Sequence, residues 1–556
     1  MPFSAGNWEL SPVRAIAIVV ALLLLAHAPL FLNGSMFMDD WLVLKPGPNY
    51  PVDIDFLFKG AGHPVFFAYY SFANMTGVPV LVMKTMAIAA ILTGAICLFL
   101  AGARTGLLSR AEAAGVALLV WIYPGYQMWA GKANAVYVFS FGLFFVGMWL
   151  LVLAFKAKGI GHAALRLASA SVFFLSFELN SLMALYVFAM FGLFVAAWRD
   201  CNRKSGAIRR LLLSGWRCIA GYPEFVVLPL LYWGALNTWF RRVGAYASYY
   251  EIRQPTFSDL LDGWHSFFEV GYMNVIARAG RAALDFKLLL IPIAVILVVS
   301  LVLAFKGRRS RWSIFRIGVP LLLSVLLFFA LALPYLIAGI RPNLHFYETR
   351  HLLLFGLPGA FFVLAAKRVG ESIVGRKAAF VGVFGLAAIV SLAALWSSYF
   401  FLQARALKQE SLFSHLAKMP MPTAIVYDLN DGFADHTSQH VPFGLAEVTG
   451  MLQLAWGDHP FFGYSQQGER PTILQEMEAA RNIEGSAFHH MDPSGPQATI
   501  VLEPGSAAAP NSRLVRHYYA CRLLGRCDAT EFLAQLANVK IDVGPIAGVL
   551  PATGSK

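Results

Sequence analysis

The sequence predicts an α-helical polytopic membrane protein of about eleven transmembrane helices, followed by a small C-terminal extracytoplasmic domain of α/β or α+β type. Three observations carry this. Of 556 residues, 58% are apolar and only 13% charged, and a mean hydropathy of +0.61 makes lipid the main solvent. The apolar residues fall in runs long enough to cross a ~30 Å hydrocarbon core. Lys and Arg then segregate to alternate connections between those runs, as the positive-inside rule requires. The net charge of +13 therefore reflects topology, and no basic, water-soluble face for nucleic acid is present in the pattern.

Spans are expected near 12–32, 79–101, 113–130, 135–155, 219–239, 286–305, 317–340, 351–366 and 378–402. The run 167–198 would be roughly 48 Å as one helix at 1.5 Å per residue, too long for one upright crossing. Both of its flanks are basic, with Lys156, Lys158 and Arg166 before it and Arg199, Arg203, Lys204, Arg209, Arg210 and Arg217 after it. It must go out and return, turning near Phe177-Glu178-Leu179-Asn180, which brings the count to eleven. In the first run Ala26-His27-Ala28 imitates a signal-cleavage site, but Pro29 disfavours cleavage and the run is long enough to anchor.

With the N-terminus in the cytoplasm, Lys and Arg heavily outnumber Asp and Glu in the inner segments and balance them in the outer ones, with Lys84 inside a span. The chain thus divides into a membrane domain, 1–403, and an outer soluble domain, 404–556, of ordinary single-domain size. Residues 423–428 and 498–502 read as strands, and 472–481 and 530–538 as helices. Cys97, Cys201 and Cys218 lie at or near the cytoplasmic side, whereas Cys521 and Cys527 share the outer domain and are expected to form a disulfide. His489-His490-Met491-Asp492 lacks a third zinc ligand, and Asn33-Gly34-Ser35 is a sequon too near the membrane to be an acceptor.

The conspicuous polar groups of the membrane domain all fall on its outer side: Asp39, Asp40, His63, Lys132, Glu178, Arg241, Arg242, Arg341, His345, Tyr347, Glu348, Arg350 and His351. Ionisable groups beside hydrocarbon are costly and are functional candidates by default. The order of motifs, Phe37-Met38-Asp39-Asp40-Trp41, Gly62-His63-Pro64-Val65, Trp121-Ile122-Tyr123-Pro124-Gly125-Tyr126-Gln127, a Glu at the hairpin turn and Tyr347-Glu348-Thr349-Arg350-His351, resembles the polytopic GT-C glycosyltransferases. It is most similar to the bacterial branch that includes O-antigen-modifying glucosyltransferases and protein mannosyltransferase relatives. Many relatives have Gly-Arg-Pro where this chain has Gly62-His63-Pro64, and the outer domain resembles no known family.

The resemblance implies transfer of a hexosyl or pentosyl group from a polyprenyl-phosphate donor to a glycan, lipid or protein acceptor, with inversion, in a bacterial inner membrane with the outer domain in the periplasm. The first-loop acid would be the base, Asp39 or Asp40, with Asp39 favoured by analogy with Asp-Glu forms of the motif. Its neighbour would orient the acceptor or bind a divalent cation, Mg or Mn, in which Glu178 would share; Glu178 and Glu348 are the other acceptor or metal candidates. Arg350, His351, Lys132, Arg341 and His63 are the donor-phosphate candidates, with Arg241 and Arg242 behind them, because a leaving phosphate wants cations. The competing readings are a flippase or transporter for lipid-linked sugars, which needs charge near the bilayer midplane, and an extracytoplasmic glycan polymerase or ligase, which does not need a first-loop acidic pair.

Overall fold

The computed structural model describes residues 11–45, 58, 60–200, 207–243, 254–285, 290–306, 314–342, 346–422, 424, 426–432, 443–457, 461–465 and 496–543. Among the described residues the chain is mostly helical, with one small sheet. Among the described residues six helices are long and apolar enough to cross a membrane: Pro79–Arg104, Ala135–Ala154, Gly159–Ser176, Phe315–Ile337, Glu348–Val374 and Arg376–Leu416. A pair bent by 64°, Leu211–Gly221 with Pro223–Thr238, makes a seventh if it is one span, and Pro12–Ala26, Leu182–Val195 and Ile291–Phe305 are shorter apolar helices.

These helices lie where the apolar runs placed spans, with informative differences at their ends. The first run breaks at His27 into Pro12–Ala26 and Ala28–Leu32. The break is held from helix Arg110–Trp121 and from the last span: His27 Nε2 donates to the Trp121 carbonyl at 2.9 Å, its Nδ1 lies 2.6 Å from the Tyr399 hydroxyl, and the Trp396 indole donates to the Ala26 carbonyl. The long run 167–198 does reverse, with Gly159–Ser176 and Leu182–Asp200 meeting at residues 177–181. The third run, expected as a span over 113–130, is helical only over Arg110–Trp121. Pro124 cannot continue the ladder and biases Tyr123 away from helical geometry, so residues 122–134 form an irregular segment, every residue of which is buried.

Charges sort to the two ends of the bundle. At one end Glu112 accepts from Lys367 at 3.1 Å and from Arg368 at 2.9 Å, Lys367 also pairs with Glu371, and Arg316 reaches Glu371 at 3.2 Å. Arg166 forks onto Glu224 at 2.6 and 2.7 Å. All seven of the Glu112 and Arg166 clusters' residues come from segments expected in the cytoplasm or from the adjoining end of a span. The first-loop acids, Lys132, Glu178 and Arg350 come together at the other end, as described below.

The last span runs on as Gly385–Leu416, roughly 48 Å at 1.5 Å per residue, and its final turns are buried beneath the C-terminal sheet and its helices. There a four-stranded sheet has the order β2-β1-β3-β4, with β1 Val426–Asp431, β2 Phe462–Ser465, β3 Gln497–Pro504 and β4 Ala537–Val543. β1 runs parallel to β2 and β3, and β4 is antiparallel to β3. Tyr427 and Leu429 alternate inward with Ala498, Ile500 and Leu502, and pack with Leu407, Leu412 and Leu416 of the long helix and with Val448 and Leu452. The strands expected at 423–428 and 498–502 are thus β1 and β3. The helix expected over 530–538 ends at Leu536, because 537–543 alternates buried and exposed residues as an edge strand. Cys521 and Cys527 form the expected disulfide, and Cys97 and Cys218 are buried. Cys201, the helix expected at 472–481 and His489-His490-Met491-Asp492 lie outside the described residues.

Two tests follow from this architecture. A cysteine at exposed Lys418 should react with a membrane-impermeant maleimide on intact cells, and one at exposed Lys158 only after permeabilisation; the reverse pattern would invert the topology. Helix Gly356–Val374 approaches the end of the third helix so closely that a Cβ on Gly356 would lie 2.7 Å from the Val120 carbonyl oxygen, a backbone atom that cannot swing aside. Gly356→Ala should therefore cost about 1–3 kcal/mol, the usual range for overpacking, read as a lower unfolding midpoint in detergent. Gly34→Ala, where a Cβ meets nothing within 4 Å, is the matched comparison.

Candidate functional site

Asp40 is fully buried and joins two segments. Its Oδ2 accepts the Phe37 backbone N–H at 2.9 Å, and its Oδ1 accepts the Ala133 N–H at 2.5 Å. Asp40 is thereby the link between the first outer loop and the buried irregular segment that closes the third helix. Burial pushes its carboxyl up to about 6, opposed by the Lys132 ammonium and by those same N–H donors.

Lys132 is just as buried. Its ammonium donates to Asn33 Oδ1 at 3.2 Å and to the Ser35 carbonyl, and lies 4.9 Å over the Phe37 ring. Burial lowers it to about 8, while Asp40 holds it up. Sequence placed Lys132 among the donor-phosphate candidates, but its protons point into the first loop. The same geometry occupies Asn33 of the sequon. Lys84, the charge within a span, donates to the Phe31 and Asn33 carbonyls at the end of the second helix.

Asp39 sits differently. It is half-buried and precedes the one-turn helix Asp40–Val43. Burial raises its carboxyl to about 6; the Arg350 guanidinium works against that rise, and Asp40, Glu348 and Glu447 add to it. Asp39 and Arg350 are thus within electrostatic reach of each other although 311 positions apart in sequence. The residue before it, Met38, has φ +49°, in the left-handed region that non-glycine residues seldom occupy. Such a residue marks a backbone that its surroundings over-determine.

Arg350 and His351 lie on the 3-10 helix Phe346–Phe355 that opens the late span. His351 Nε2 is 3.3 Å from the Glu348 carboxylate and its ring packs on Tyr335. Thr349, buried between them, accepts the Gln127 N–H at 3.1 Å. The Tyr123 hydroxyl donates to the Gly271 carbonyl and Tyr70 to that of Ala133. Irregular backbone at membrane depth is tolerated only where protein satisfies its polar groups, and His27, Asp40, Tyr70 and Thr349 satisfy backbone groups of residues 121–133.

Glu178 forms a second, adjoining group. At the hairpin turn it accepts from the Val65 N–H and from the Tyr232 hydroxyl, each at 3.2 Å, and lies 3.6 Å from His63 Nδ1. It thereby caps the helix Pro64–Met75. His63 stacks on Phe66. Gly62 has φ +76°, and a Cβ there would lie 2.8 Å from the Phe240 carbonyl oxygen, so the Gly-His-Pro motif serves a close backbone crossing. Arg242 lies against Gly62. Arg241 is exposed and donates to the Asn237 carbonyl, and Arg341 is exposed and lies near Asp259. These last two are not brought into the Asp39 group. His345 and the Tyr347 side chain lie outside the described residues.

Of the candidate cation set Asp39, Asp40 and Glu178, two members are engaged by protein donors. Both oxygens of Asp40 and both of Glu178 already accept N–H or O–H donors. Among the described residues the group of three metal-type ligands is His517, Cys521 and Cys527, and two of these are joined in the disulfide.

Sequence reasoning missed the outer-domain wall of the site. Helix Leu445–Trp456 packs on Asp40–Val43, and buried Glu447 forks with Arg405 at 2.6 and 3.4 Å and accepts from Gln409 at 3.0 Å. The spacing Arg405, Lys408, Gln409, one helix face at i, i+3 and i+4, was the available signal.

No family model matches the chain, and no curated protein matches it. One solved structure is similar, the cryo-EM structure of the arabinofuranosyltransferase AftD from Mycobacteria, with a TM-score of 0.38 and 17% identity over 92% of this chain. The chain spans 38% of the length of that protein.

The Asp40 link is directly testable. Asp40→Asn turns an amide NH2 towards one of two buried N–H donors and leaves that donor unsatisfied, at a cost of about 1–3 kcal/mol. The expected result is a lower unfolding midpoint in detergent together with faster hydrogen exchange at Ala133; Asp39→Asn should change neither.

Proposed function

We propose that the protein is an integral-membrane glycosyltransferase that moves a sugar from a polyprenyl-phosphate donor to an acceptor hydroxyl outside the cytoplasm. The observation that carries this reading is the division of labour in the acidic pair. Asp40 has both oxygens committed to backbone, while half-buried Asp39 lies within electrostatic reach of Arg350. A base and a cation in one site are what transfer from a phosphate leaving group needs.

In this reading Asp39 takes the acceptor's hydroxyl proton as that oxygen forms its bond to the anomeric carbon. The bond from that carbon to the phosphate oxygen breaks on the opposite face, and the phosphate leaves with the electron pair, so the anomeric centre inverts. Arg350, with His351 behind it, receives the charge developing on the phosphate. Lys132 and Asp40 hold the first loop, and Glu178 with His63 holds the start of the next helix. No step is assigned to a metal ion. The outer side, the polyprenyl carrier and the periplasmic position of residues 404–556 belong to the same proposal, and they accord with the segregation of Lys and Arg to the other end of the bundle.

The test is transfer by purified protein from labelled polyprenyl-phosphate sugars. Asp39→Asn should lower kcat by about 10²–10⁴, the usual contribution of a general base, with the unfolding midpoint unchanged. Because burial holds the Asp39 carboxyl near 6, kcat/KM should rise tenfold per pH unit below about 6 and level off above it, as the base loses its proton. Full turnover by Asp39→Asn would overturn the assignment.

A further inference from the structure

The long helix Gly385–Leu416 belongs to the bundle at one end and to the outer domain at the other. Beyond residue 404 its polar attachments include three that involve charged side chains. Arg405 and Gln409 hold Glu447, Lys408 pairs with Asp431 at the end of β1, and Glu410 accepts the Ser35 hydroxyl at 3.4 Å. Arg405 and Lys408 also lie 4.6 and 5.0 Å over the two-sided ring of Phe443. Arg405, Lys408, Glu447 and Asp431 are all buried, so this is a rigid joint whose partners cannot separate without stranding charge.

That joint bears on the first outer loop. Glu447 Oε2 accepts the Gly444 N–H at 2.7 Å and so closes the start of helix Leu445–Trp456. A Cβ on Gly444 would be 3.5 Å from the Met38 sulfur, which places the helix start against the residue whose left-handed backbone turns the chain into Asp39. The same helix packs on Asp40–Val43. Glu447 is therefore tied by one carboxylate to the bundle helix, to its own helix start and, through Gly444, to the backbone that aims Asp39.

We propose that Glu447 is a positioning residue for Asp39, and that the outer domain is a working part of the catalytic site, pressing the first loop into its strained turn. This rests on the glycosyltransferase reading. It assigns the domain a task within the reaction, since the loop is held from the bundle side by Asp40 and Lys132 and from the outer side by the Glu447 joint. The Glu447 charge also acts on Asp39 directly, in the direction that raises its carboxyl.

The experiment uses the full chain carrying Glu447→Gln with Arg405→Met, which removes both charges so that neither is left buried alone. Hydrogen exchange across residues 36–44 should quicken about tenfold. In transfer assays kcat should fall about tenfold with the donor KM within twofold, and the acidic limb of the pH profile should move down by on the order of half a unit, as expected when a like charge leaves. The matched variant Lys408→Met with Asp431→Asn removes a neighbouring buried pair but leaves Glu447 and Gly444 in place. It should leave both the 36–44 exchange and the limb where they are. Unchanged exchange and an unchanged limb in the Glu447 variant, or equal effects in the two variants, would overturn the proposal. Absence of transfer by the wild type from every polyprenyl-phosphate sugar would instead overturn the glycosyltransferase reading. The exchange comparison would still decide whether Glu447 holds the loop.

Discussion

The site is organised around one carboxylate that does no chemistry in our reading. Asp40 accepts the backbone N–H groups of Phe37 and Ala133, residues 96 positions apart in the chain. A buried carboxylate that lost either donor would be costly, so the first loop and the irregular segment 122–134 must come together or the bundle does not close. Lys132 makes the link mutual. It issues from the second segment and holds the first by Asn33 and Ser35. Asp39 is positioned as a by-product, with its backbone fixed on one side by Asp40 and on the other by strained Met38.

The rest of the bundle can be read as support for buried, non-helical backbone. A membrane interior offers no water to unpaired amides and carbonyls, yet residues 122–134 leave the helix and remain buried. Backbone groups of residues 121–133 and the Tyr123 hydroxyl are answered from five separate elements: His27 in the first run, Asp40 and Tyr70 in and after the first loop, Gly271 in the helices over 257–285 and Thr349 at the entry to the late span. That convergence brings Arg350 into electrostatic reach of Asp39. At the opposite end, Glu112, Arg316, Lys367, Arg368 and Glu371 tie three connections into one buried ionic cluster. It fixes the loops at that end and, with them, the relative heights of the helices that carry the site.

The outer domain enters this scheme through a continuous helix. A flexible linker would let it move independently, whereas Gly385–Leu416 carries the register of the last span directly into the core under the sheet. Its buried pairs with Glu447 and Asp431 then set the domain against the first loop. The sheet supplies the platform: three parallel strands and an antiparallel edge leave helix Leu445–Trp456 on the side that faces Asp40–Val43.

The sequence by itself determined the solvent, the helical class, the hairpin reversal at Glu178, the two principal strands, the Cys521–Cys527 bridge and the end of the bundle at which the acids and Arg350 would meet. These follow from run length, charge placement and period-two alternation, all of which are local properties of the chain. It named Asp39 and Asp40 together but could not separate them, because adjacent identical side chains differ only in what surrounds them. It read 113–130 as one span because hydropathy registers apolar content and not whether backbone amides remain paired past Pro124. It listed Lys132 with the phosphate cations but could not foresee the Asn33 and Ser35 partners of its ammonium. Only the tertiary structure decided these, and it alone exposed His27, Thr349 and Glu447, since each acts on a partner far away in sequence and is ordinary in its local context.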